Sequence, residues 1–82
     1  MVENKIKMPN FEIFCSDIGQ DKRSFSFRTN ALNINVVLAE VRSACEKCKA
    51  GRRIAFIELE GYTFQAIVRK RIVGRIFIKP LD

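Results

Sequence analysis

The stretch RRIAFIELEGYTFQAIVRKRIVGRIFIKP, residues 52–80, decides the fold. Ile54 to Glu60 is a short run of apolar and β-branched residues that reads as a strand. Glu60-Gly61 supplies a tight turn into Tyr62–Lys70, and a last strand around Arg75–Lys79 is stopped by Pro80. The middle admits two readings. Phe64, Ile67, Val68 and Ile72 fit one face of a helix, with Thr63 as cap and Gly74 as terminator. The same segment holds Thr63, Ile67, Val68, Ile72 and Val73, all β-branched, and that content favours strand.

Upstream the period changes. Ile34, Val37, Leu38, Val41, Cys45 and Cys48 are spaced 3, 1, 3, 4 and 3 residues apart, one face of a helix at about 3.6 residues per turn. Asn33 (or Asn30, for an earlier start) suits the N-cap, and Gly51 the position just past the end. A helix is therefore expected over about 33–50. Before it, Phe11–Ser16 and Arg23–Thr29 alternate, with Phe11, Ile13 and Cys15 on one side of the first and Phe25 and Phe27 inward on the second. Asp17–Lys22, around Gly19, is loop chemistry, so the two segments read as an antiparallel hairpin. Residues 1–10, which include Pro9, show no period and read as a loose segment. The expected architecture is α+β, ββαββ(β): an N-terminal β-hairpin, one central helix, then two or three antiparallel strands, with the helix packed on one face of the sheet.

Eighty-two residues make a single small domain, 1–82. Seven Phe and a 48% hydrophobic composition are enough to fill a small core. The longest apolar runs, VVLA and IAFI, are four residues, against the roughly 18–20 that a membrane helix needs. No segment resembles a signal peptide, so the expectation is a cytoplasmic protein with no membrane partner. The count of three cysteines fits a reducing compartment better than a disulfide-stapled scaffold.

The stretch SACEKCKAGRR, residues 43–53, carries a Cys-x-x-Cys pair. A redox pair works at a helix N-terminus, where the dipole stabilises thiolate, whereas Cys45 and Cys48 fall in the last two turns of the expected helix. A structural zinc takes four ligands; Cys15 is the only further cysteine and histidine is absent. Both cysteines continue the apolar stripe, so they read as core thiols. The absence of histidine also removes the commonest general base. Glu58 and Glu60 are conceivable paired carboxylates, but on an alternating strand they read as the solvated side opposite Ala55, Ile57 and Leu59. No phosphate loop, nucleophile elbow or metal motif is present. The chain reads as a non-enzyme with no catalytic residues, no metal and no cofactor.

The charge is uneven. Residues 1–41 carry five basic and five acidic side chains, residues 42–82 ten basic and four acidic, so the second half holds the whole net charge of +6. If residues 71–79 form one strand, Arg71, Val73, Arg75, Phe77 and Lys79 share a face opposite Ile72, Gly74, Ile76 and Ile78. That face alternates cations with an aromatic, which suits phosphates and a stacked base. Arginine, whose planar fork binds phosphate bidentately, predominates. The expected function is a small basic nucleic-acid-binding protein, with RNA favoured over DNA. Arg52, Arg53, Arg69, Lys70, Arg71, Arg75 and Lys79 would meet phosphates, and Phe77 and Tyr62 would stack. The alternative is a protein-interaction module, such as a phage- or mobile-element-encoded inhibitor of a host factor, docking its basic half on an acidic surface. Either reading admits a homodimer, because a small core with exposed sheet edges gains stability by pairing.

Overall fold

The computed structural model describes residues 9–48 and 51–81. The elements run β1 (Asn10–Ile18), β2 (Arg23–Asn30), α1 (Ile34–Lys47), β3 (Ala55–Glu60), β4 (Thr63–Val68) and β5 (Arg71–Pro80). The five strands form one antiparallel sheet in the order β2-β1-β5-β4-β3. Three strands follow the helix, and the ambiguous segment is strand, as its β-branched content requires. No helix among the described residues is long and apolar enough to cross a membrane.

The helix begins where its cap chemistry places it. The Asn33 side chain accepts a hydrogen bond from the Val36 N–H at 3.2 Å, which satisfies one of the amides a first turn leaves unpaired. Val37, Val41 and Cys45 are buried on the expected stripe, and Ile34, Leu38 and Cys48 pack partly buried beside them. The end differs from expectation. α1 stops at Lys47 with Cys48 as its cap, so Gly51 is not the terminating residue but lies in the next loop at φ +125°. Residues 49–50 of the expected helix, and residues 1–8 of the expected loose segment, lie outside the described residues.

One sheet face is the core. Phe11, Ile13, Cys15, Phe64, Ala66, Ile76 and Ile78 form a single buried cluster with Val37, Val41 and Cys45 of the helix. Ile18 joins it because β1 carries a bulge. Cys15 opposes Phe25 but Ile18 opposes Arg23, so one extra residue turns Ile18 back inward and leaves it fully buried. The first strand therefore extends through residues read as loop, with Asp17 at φ 55° absorbing the bulge.

A second bulge corrects the expected last strand. Ala66 opposes Gly74 while Ile67 opposes Ile72, which leaves Val73 as the extra residue. Ile72 therefore moves to the face of Arg75, Phe77 and Lys79 and is 59% exposed. Arg71 leaves that face and opposes Val68. Gly74 sits against β1 so closely that a Cβ would stand 2.3 Å from the Ile18 δ-methyl.

The faces of β3 are also the reverse of expectation. Ile54 is buried and Phe56 half-buried, whereas Ala55, Ile57 and Leu59 are exposed. Arg42 of the helix fixes this choice: its Nε donates to the Ile54 carbonyl at 3.0 Å and its guanidinium lies 5.5 Å from the centre of the Phe56 ring. Glu58 opposes Phe64 and Glu60 opposes Thr63, so a bulge at Leu59 separates the two carboxylates that a regular strand would align.

Candidate nucleic-acid interface

The exposed face of the sheet carries an aromatic pair. Phe14 of β1 opposes Phe77 of β5, and their rings stack with centroids 6.1 Å apart at an interplanar angle of 30°. Phe14 is 45% and Phe77 39% exposed, so two phenyl faces stay open to solvent although a buried core lies directly behind them. Arg75 and Lys79 flank Phe77 along the same strand and are exposed. Across from them, Ser16 opposes Arg75 and Glu12 opposes Lys79. Glu12 also pairs with Arg28 of β2, Nε to Oε2 at 3.6 Å, both side chains being well exposed. Among the described residues Arg75 enters no ion pair, while Glu12 stands opposite Lys79 at the other end of the row.

Lys22, Arg52, Arg53, Arg69, Lys70 and Arg71 gather at one end of the sheet. Three connections meet there: the β1–β2 turn with Gly19, Gln20 and Lys22, the loop Gly51-Arg52-Arg53, and the β4–β5 turn with Arg69, Lys70 and Arg71. Three adjoining depressions run across this end. The first is lined by Arg52, Arg53, Val68 and Arg69; the second shares Val68 and Arg69 with it and adds Lys22, Arg71 and Ile72. The third shares Lys22 and Ile72 with the second and continues to Ser16, Asp17, Arg75 and Phe77. Shared lining residues link these depressions from the arginine loop round the end of the sheet toward Phe77; Asp17 lines the third, and Glu46 lines a neighbouring depression with Arg52 and Arg53.

The backbone at this end is held in an unfavourable region. Lys22, Arg53, Arg69 and Lys70 have φ of 54°, 56°, 51° and 67°. Left-handed backbone costs about 1–2 kcal/mol for a residue with a Cβ. Arg69 and Lys70 form the two-residue connection between Val68 and Arg71, a turn with positive φ at both positions that Asn-Gly would satisfy at lower cost. The chain places cations where its own conformational preference asks for Asn or Gly, and such strain concentrates at functional surfaces.

Measured against the sequence, Arg52, Arg53, Arg69 and Arg71 line the groove, Lys70 stands at its turn, and Arg75, Phe77 and Lys79 share the exposed face. Tyr62 does not join them: its carbonyl accepts from the Ile78 N–H at 2.9 Å, which sets it one residue out of step with Phe77. Phe14 and Lys22 are members that sequence reasoning missed. The signal for Phe14 was present, since alternation from Phe11 and Ile13 leaves a phenylalanine on the outward side.

The cysteines lie on the opposite side of the sheet. Cys15 and Cys45 are fully buried, Cys48 is half-buried, and all three thiols are free. The hydrogen bond with Cys45, and then burial, push the Cys15 thiol far above its ordinary value, while the same bond favours Cys45 over Cys15 as the place of any thiolate. Among the described residues, no group of three or more cysteine or carboxylate side chains is arranged to hold a metal ion.

Comparison with known proteins finds no matching family model, no matching curated protein and no matching solved structure.

Proposed function

We propose that this chain is a non-catalytic binding protein for single-stranded nucleic acid, with RNA the favoured form. The observation that carries the reading is the exposed Phe14–Phe77 stack at the end of a cationic groove. Solvent-facing phenyl rings on a sheet give unpaired bases a surface to stack on, and the base pairs of a duplex withhold those faces. Arg75 and Lys79 lie beside the rings, where the backbone of a stacked strand would run. Arg71, Arg69, Lys70, Arg52 and Arg53 continue the phosphate track, with Lys22 lining it beside Arg71 and Arg75. Arginine suits this work because its planar fork holds phosphate oxygens bidentately and also stacks.

A second reading, the protein-interaction module, is favoured by exposed aliphatic side chains on β3 and β5. Ile57, Leu59 and Ile72 are 50%, 48% and 59% exposed, and aliphatic groups serve protein contacts better than base stacking. Charge reversal of Arg69, Lys70 and Arg71 to Glu separates the two. The nucleic-acid reading expects affinity to fall uniformly across sequences, with the salt slope smaller by about 2 for three lost contacts to a single strand. Unchanged nucleic-acid affinity, with loss of a protein partner, contradicts it.

A further inference from the structure

We infer that the outermost strand β3 pairs with the β3 of a second copy, giving a two-fold symmetric dimer with one continuous ten-stranded sheet. β3 ends the strand order and is bonded to β4 on one side. Five of its six residues are exposed, Ile57 and Leu59 among them. Among the described residues no strand pairs with its other side, and such an edge with exposed aliphatic side chains is a template for another strand.

The sequence of this edge says which strand fits. The strand reads AFIELE from Ala55 to Glu60, and the loop just before it adds Arg52 and Arg53: two cations, an apolar centre, then two carboxylates around Leu59. Two-fold pairing of identical strands is antiparallel, so the start of each strand lies beside the end of its copy. Arg52 and Arg53 of one chain then face Glu58 and Glu60 of the other, and the same contact repeats at the far end. Parallel pairing would set like charges together. The opposite edge, β2, behaves the other way. It carries Arg23 near one end and Arg28 near the other, with no carboxylate between, so self-pairing there brings arginines together. One edge is complementary to itself and the other repels itself.

The charges involved are available. Among the described residues the one ion pair is Glu12 with Arg28, so Arg52, Arg53, Glu58 and Glu60 enter no ion pair with another described residue. A two-fold axis normal to the sheet keeps both Phe14–Phe77 pairs on the same side and sends the two basic ends in opposite directions. The inference goes beyond the nucleic-acid reading and does not depend on it; in the dimer Arg52 and Arg53 face carboxylates, so the phosphate track falls to Lys22, Arg69, Lys70, Arg71, Arg75 and Lys79.

Sedimentation equilibrium of the full chain, free of nucleic acid, tests the pairing. The wild type is expected at twice the 9.5 kDa chain mass in the micromolar range. The variants E58R/E60R and R52E/R53E each set like charges together, so self-association weakens by at least about tenfold for each. An equimolar mixture of the two restores the dimer, because both ends of the mixed pair again join opposite charges. Circular dichroism confirms that each variant is folded. A monomeric wild type, a variant that dimerises as well as wild type, or a mixture that stays monomeric overturns the inference. Failure of nucleic-acid binding leaves it standing, since none of these measurements includes nucleic acid.

Discussion

Phe14 and Phe77 stack across adjacent strands with centroids 6.1 Å apart, both outside the core. A ring pair exposed in this way contributes modestly to the fold and much to any ligand that can lie on it. Replacing either ring by Ala is expected to lower the thermal midpoint by about 4–8 °C, the loss of about 1 kcal/mol from a half-buried ring pair. The same change should weaken single-strand binding by about five- to 150-fold, the loss of about 1–3 kcal/mol of stacking. Fluorescence anisotropy with a labelled oligonucleotide, beside a thermal melt of each variant, reads both quantities. An equal loss of stability and of binding would assign the pair to the core instead.

The β4–β5 turn sets stability against charge. Arg69 and Lys70 occupy left-handed backbone at φ 51° and 67°. The double variant Arg69→Asn with Lys70→Gly meets the turn's demand and removes two cations. It is expected to raise stability by about 1–2 kcal/mol, a midpoint shift of about 4–8 °C per kcal/mol in a domain of this size. Nucleic-acid affinity should fall at the same time. A thermal melt and an anisotropy titration of one sample decide; a variant that gains stability and keeps full affinity would show that the turn's charge is idle.

Glu12 restrains the exposed face by pairing with Arg28 and opposing Lys79. Glu12→Gln frees both cations at an exposed site, so affinity for a polyanion should rise severalfold at low salt and the salt slope should steepen by about 0.7 per added phosphate contact. Titrations at several salt concentrations measure the slope directly.

The hydrogen bond with Cys45, and then burial, push the Cys15 thiol up. Its value in the folded chain is raised above the ordinary 9.0, so the unfolded chain releases this proton first as pH climbs. The stability linked to Cys15 is therefore fully present below about pH 9 and declines as pH rises beyond it. Melts between pH 7 and pH 11 should show this decline, reduced in slope in Cys15→Ala. A thiol reagent at neutral pH should label half-buried Cys48 in the folded chain and reach Cys15 and Cys45 only after unfolding.

Elements whose information is local were legible in the residues themselves. The helix stripe from Ile34 to Cys48 and the Asn33 cap depend on neighbours within a turn or two, and they stand where periodicity placed them. So does the alternation of Phe25 and Phe27, whose stacked rings lie against the core. The misreadings arise where alternation is interrupted or contested. The bulge at Val73 exchanges Arg71 for Ile72 on the exposed face, and nothing in Arg71-Ile72-Val73-Gly74 alone announces it, because the register is set with the neighbouring strands, where Gly74 sits close against Ile18 of β1. In β3 both faces are apolar, so the pattern gave no preference; contact of Arg42 with Ile54 and Phe56 decided which side turned inward. The basic groove was legible as charge but not as a place, since it forms only when the three connections around Lys22, Arg53 and Arg69 meet at one end of the sheet.

The central claim is that the cationic groove and the Phe14–Phe77 pair hold a single strand. Anisotropy titrations with labelled single-stranded RNA, duplex RNA and duplex DNA at about 50 and 200 mM salt address it most directly. Binding is expected to be tightest for single-stranded RNA. It should weaken by about a hundredfold to a thousandfold between the two salt concentrations, as neutralising about five to seven phosphates of a single strand requires. No binding at the lower salt concentration, or a preference for either duplex that survives Phe14→Ala and Phe77→Ala, would contradict the account.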